Sequence, residues 1–159
     1  MNNKIKVVLI LVCVAMAFTG VGIYMSLQSQ NKLEANTQIN VEGETTSQTL
    51  KAKLTGFYPG CTQQYQISLN GELADSYTVT LSFRNDKKQG GLENFITVVI
   101  STSNFTLEKP LKDLLNDEVI DLGTNASQIT ISYTMPTDTG DEAQGTTCDF
   151  YVDLTAKNS

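Results

Sequence analysis

The sequence predicts an all-β fold, an antiparallel β-sandwich with one short helix, set behind an N-terminal transmembrane or signal helix. Three observations predict it. Six runs place apolar residues at every second position, turn-forming residues separate those runs, and one uncharged stretch near the start is long enough to span a bilayer. Setting that stretch aside, the 159-residue chain leaves about 130 residues to fold, which bounds the remainder at one modest domain. The organisation expected is a membrane anchor or signal peptide over residues 1–27, a polar extended tether or donor strand over 28–49, and a β-sandwich over 50–159.

The membrane-length stretch runs from Val7 to Met25 without an Asp, Glu, Lys or Arg. As a helix it would extend about 28 Å, close to the thickness of the bilayer hydrocarbon. Lys4 and Lys6 precede it and no basic cluster follows directly, so the N-terminus is expected inside and the bulk of the chain exported. Ala15-Met16-Ala17 offers a small-residue cleavage pattern only by interrupting the run. A retained anchor and a cleaved signal peptide therefore both remain open, and the mass of the exported N-terminus separates them.

Residues 28–49 are polar, with Leu33, Ala35, Ile39 and Val41 as their only apolar material, and read as a tether with one weak strand. A period of two then dominates. It runs through Leu50, Ala52, Leu54; Tyr65, Ile67, Leu69; Tyr77, Val79, Leu81, Phe83; and Ile96, Val98, Ile100. It continues through Ile129, Ile131, Tyr133, Met135 and closes with Cys148, Phe150, Val152, Leu154. Tyr58-Pro59-Gly60, Asn70-Gly71, residues 85–91 and residues 136–145 supply the turns. One short helix fits: Pro110 at a first helical position, with Leu111, Leu114 and Leu115 forming a stripe about two turns long. With no βαβ alternation, the strands are expected to pack as two antiparallel sheets.

Composition removes whole classes of chemistry. There is no histidine, which excludes the Ser-His-Asp arrangement and every His-containing zinc site. The net charge is −6, and two of the eleven basic residues precede the apolar run, so a basic face for nucleic acid is not expected. No catalytic residue and no cofactor is expected. The densest acidic cluster, Asp138, Asp141 and Glu142, is a weak calcium candidate, since it lacks the twelve-residue loop spacing. Asp113, Asp117, Glu118 and Asp121 read as the solvated side of the short helix and its exit. Asp149 and Asp153 lie about 13 Å apart along one strand, too far for a glycosidase pair. Tyr65, Tyr77 and Tyr133 fall on apolar faces and read as core rather than as a glycan platform.

Of three cysteines, Cys13 lies in the apolar run, whereas Cys61 and Cys148 lie in the exported part, where a disulfide can persist. A bridge between them is expected; by the chain-entropy model it is worth about 4 to 5 kcal/mol. Two buried thiols, or a reactive thiol without a base, are the alternatives, and thiol titration before and after reduction distinguishes them.

Three stretches together resemble the TasA/camelysin family of exported Gram-positive proteins of the biofilm matrix. Leu54-Thr55-Gly56-Phe57-Tyr58-Pro59-Gly60, with Gln64-Tyr65-Gln66-Ile67 and Asn70-Gly71 after it, resembles the family's Pro-Gly loop, strand and turn. Thr106-Leu107 through Leu111-Lys112-Asp113-Leu114 resembles its leucine-bearing crossover. Ile131-Ser132-Tyr133-Thr134-Met135-Pro136, Asp141-Glu142-Ala143-Gln144-Gly145 and Asp153-Leu154-Thr155-Ala156 resemble its last strands and the acidic loop between them. Cys61 and Cys148 depart from the family's usual residues, and Met25-Ser26 stands where its export signal commonly has a small residue.

The resemblance implies a jelly-roll-like sandwich and a non-enzymatic surface or matrix protein that engages other copies of itself, or surface proteins, by β-strand addition. Ile39 and Val41 are the donor-strand candidates. A membrane partner through residues 7–25 is expected if the run is retained. A loop-borne adhesion or ligand-binding module is the alternative. A camelysin-like metalloprotease is the third, set against the absence of H-E-x-x-H.

Overall fold

A computed structural model describes residues 32–158. The anchor or signal segment assigned to residues 1–27, including Val7 and Met25, lies outside the described residues. Among those described, no helix is long and apolar enough to cross a membrane.

Each of the six alternating runs becomes a strand, because burying every second side chain is what one face of a sheet does. They are β2 (Thr45–Leu54), β3 (Thr62–Gly71), β4 (Tyr77–Gln89), β5 (Thr97–Ser101), β8 (Gln128–Thr134) and β9 (Cys148–Asn158). The apolar members of these runs are buried, apart from the half-buried Tyr65. Three further strands are β1 (Asn36–Val41), β6 (Thr106–Pro110) and β7 (Asn116–Thr124). Two sheets result, one five-stranded in the order β1-β3-β8-β5-β6 and one four-stranded in the order β2-β9-β4-β7.

The apolar faces of the two sheets form one core. Tyr133 of the first sheet and Phe150 of the second have ring centroids 5.8 Å apart, and Phe83 and Tyr65 extend the aromatic contact on either side. Every pairing is antiparallel except β1 with β3, which is parallel. From β1 onward the chain crosses between sheets at each connection except β5 to β6.

Four local expectations change. Residues 28–49, read as a tether with one weak strand, contribute that strand as β1 and also the first half of β2, and Ile39, Val41 and Leu33 find places in the core. Residues 85–91, read as a turn, carry β4 on to Gln89 through an irregular register, since β9 is long enough to pair again at Cys148. The helix α1 is one turn, Leu111–Leu114, with Pro110 as its N-cap rather than its first residue. It stops early because the edge of β4 captures the following segment, so Asp117, Glu118 and Asp121 lie on β7 and not on a helix exit.

Candidate assembly edge and end cleft

The donor-strand candidates sit in β1. Ile39 is 4% exposed and Val41 fully buried, while the alternate side chains Gln38 and Asn40 face solvent. Neighbouring groups fix the strand in place. The amide of Gln66 donates to the Ala35 carbonyl and that of Glu72 to the Val41 carbonyl, each at 2.9 Å. At the edge strand β2 of the other sheet, the Leu33 amide donates to the Lys51 carbonyl at 2.9 Å, so this segment borders both layers.

Gly71 explains how β1 lies so close to β3. Its φ is +99°, and a Cβ there would fall 2.6 Å from the Val41 carbonyl oxygen. Only a bare α-carbon admits that approach. Asn158, which the sequence gave no reason to single out, pins the turn between β1 and β2. Its side-chain amide donates to the carbonyls of Gly43 (2.7 Å) and Glu72 (2.9 Å), and its oxygen accepts from the Ala74 amide at 3.1 Å.

On the outer face of the four-stranded sheet, Tyr151 lies beneath the Arg84 guanidinium, 4.7 Å from the ring centroid, with the Lys51 ammonium 5.8 Å away. Arg84 donates to Asp153 at 3.1 Å, and the Thr49 hydroxyl donates to the same carboxylate. Partial burial pushes the Asp153 pKa up, but the hydrogen bonds from Arg84 and Thr49 outweigh it and hold the carboxyl below its ordinary value. Asp149 lies on the same outer face, as its strand parity requires.

The bridge expected between Cys61 and Cys148 is not formed; both are thiols. Cys61 stands just before β3 in the five-stranded sheet, opposite Met135, whose amide donates to the Cys61 carbonyl at 3.0 Å. Cys148 opens β9 in the other layer, across from Leu54. Burial pushes the Cys148 thiol up to about 12, and the negative charges of Glu93 and Asp149, with a hydrogen bond to Glu93, add to the rise. A thiol so held stays protonated at neutral pH, which removes it as a nucleophile. Burial also holds the wholly buried Tyr133 hydroxyl well above its ordinary value, with Tyr65 and Cys148 contributing.

One end of the sandwich carries a cleft of about 320 Å³. Its lining includes Asp138, Thr139 and Glu142 from the loop between β8 and β9, Lys112 from α1, and Asn94 and Thr97. Ile96, Phe95, Pro110 and Pro136 supply its apolar surface. The three calcium candidates do not all border the cleft. Asp141 starts a 3₁₀ turn and accepts a hydrogen bond from the Gln144 side chain at 2.9 Å, whereas only Asp138 and Glu142 line the cleft. Among the described residues, no three acidic or cysteine side chains are grouped to hold a metal ion.

No protein-family model matches the chain, and no curated protein matches it in sequence. Among solved structures, one described as the crystal structure of FlhE is similar over 74% of this chain and 100% of that one, at 8% identity and a TM-score of 0.40. That likeness is too slight to carry an argument about fold or function.

Proposed function

We propose that this chain is a non-enzymatic exported protein of the cell surface or extracellular matrix, of the TasA/camelysin type, that assembles with other copies by exchanging β1. The carrying observation is β1 itself: a six-residue edge strand, paired in parallel with β3, that buries Ile39 and Val41 against a seat shaped by Gly71. The same seat exists in every copy, so a β1 received from a neighbour makes the contacts it would make at home. Exchange then costs little beyond opening residues 42–44, and repetition in one direction builds an open-ended fibre. The order of β2 to β9, divided four and four between the sheets with β2 beside β9, supports the jelly-roll wiring that the resemblance implies.

Register supplies the test. Asn40 and Asn70 are Cα partners and both are exposed. In a chain with its native cysteines replaced, Asn40→Cys and Asn70→Cys should oxidise to a ladder of covalent multimers when fibres are present by electron microscopy. Fibres whose cross-links all remain within one chain would refute strand exchange, and a chain that forms no fibres under any exported condition would refute the matrix role.

A further inference from the structure

Beyond assembly, the end cleft holds charges that nothing else in the fold uses. Lys112, Asp138 and Glu142 line it, and none of the three makes an ion pair among the described residues, although one ammonium and two carboxylates border the same space. They are held on separate elements, Lys112 within α1 and the carboxylates on the loop after β8. That loop is anchored at its base, where the Gly60 amide donates to the Met135 carbonyl at 2.9 Å. Asn94 is likewise fixed, donating to the Gly91 carbonyl at 3.2 Å.

Glu142 has a specific seat. Its carboxylate lies against the α-carbon of Gly140, where a Cβ would collide with it. The backbone at Gly140 (φ −73°, ψ 175°) is one that any residue adopts, so a Cβ there would leave the turn intact and push the flexible end of Glu142 out of its present place. The same lining includes the prolines Pro110 and Pro136, with the almost fully buried Ile96, apolar surface of the kind an aliphatic stem covers.

We propose that the cleft binds a basic amino-acid residue with a free α-carboxylate, such as the C-terminal lysine of a peptide. The ligand carboxylate pairs with Lys112, its stem covers Ile96 and the prolines, and its ammonium meets Asp138 and Glu142. The two carboxylates make the site net negative, so a ligand lacking the cation is disfavoured. The cleft is small for a ligand pocket, which suits one residue rather than an extended chain.

The probe is Nα-acetyl-L-lysine, titrated calorimetrically into the full chain in detergent. Saturable binding is expected, weakened at least about fivefold for Nα-acetyl-L-norleucine, which lacks the ammonium, and for Nα-acetyl-L-lysine amide, which lacks the carboxylate. Lys112→Ala should weaken the acid and leave the amide unchanged. Gly140→Ala removes no charged group, yet should weaken both lysine probes at least about threefold with the unfolding midpoint unmoved. Absence of saturation, equal binding of norleucine, or lysine binding indifferent to both substitutions would overturn the proposal. None of these outcomes bears on fibre formation, so this site and strand exchange fail separately.

Discussion

Along one lateral margin of the sandwich, β6 and β7 are joined by α1, whose Leu111 and Leu114 are fully buried, and by an ion pair between Lys109 and Glu118. β6 is five residues long and ends at Pro110, β7 pairs with β4 through two register shifts, and Asp117 turns through a φ of 59°. Along the other margin, β2 pairs with β9 for ten residues without a shift and β1 lies on β3 without one; residues 45–49 of β2 carry no charge, and its second half carries the exposed Lys51 and Lys53. The first margin has the proline and the irregularity that discourage an added strand. The second has regular ladders and a single docked strand. The contrast teaches where another copy could engage: the margin that is uniform is also the one whose last strand is short and exchangeable.

The strongest way to break that contrast is to place a charge under β1. Val41→Asp should destabilise the protein by at least about 3 kcal/mol in urea unfolding, since the carboxylate has no partner in the core. The matching change on the other margin, Val119→Asp, alters a side chain that is 68% exposed. It should stay within about 0.5 kcal/mol of the parent. Equal effects would mean that β1 is no better seated than the surface of β7.

Gly71→Ala sharpens the comparison by displacing β1 without touching its sequence. A positive φ and the approach of Val41 together should cost about 2 to 3 kcal/mol. Hydrogen exchange should quicken first at the Gln66 and Glu72 amides, which donate to Ala35 just before β1 and to Val41 at its end. Uniform acceleration across β4 and β9 would instead show that β1 cannot leave by itself. Asn158→Ala follows, with an expected loss of about 1 to 3 kcal/mol from the bonds that hold the turn between β1 and β2.

Smaller effects come from charged groups. Because the Asp153 carboxyl lies below its ordinary value in the folded chain, its contribution is complete above the unfolded pKa, about 4, and is lost as pH falls through the folded value. Asp153→Asn should therefore flatten the stability profile below about pH 4 and cost under about 1 kcal/mol at neutral pH, its partners being partly exposed. An unchanged acid profile would remove Asp153 as a tie between β2 and β4. Least of all, Lys109→Ala should cost under about 0.5 kcal/mol and be masked by salt, as expected for an exposed pair. A larger loss would mean that the β6/β7 margin depends on that pair.

How legible these features were depends on burial. Leu81 and Phe83, or Val152 and Leu154, could be placed from alternation because both sheet faces impose the same period on strands with one wet side. β7 could not: most of its side chains are exposed, it has little apolar material, and its acidic residues fit a helix exit equally well. At the cleft, Asp138 and Glu142 stood out as charges, but Lys112 joined them only because the β8–β9 loop folds over the end where α1 begins. Asn158 carried no signal, since a side-chain amide near a chain end reads as solvent-exposed until its three backbone partners converge.

By itself, the sequence determined six of the nine described strands, the inward face of each of those runs and the exclusion of histidine chemistry, because each follows from local pattern or composition. Tertiary structure alone decided that β1 docks in parallel on β3, that Cys61 and Cys148 enter the core from opposite layers, and that Lys112 faces the same cleft as Glu142. Those relations join residues far apart in the chain, and pairing energy between distant segments leaves no period in the sequence to read.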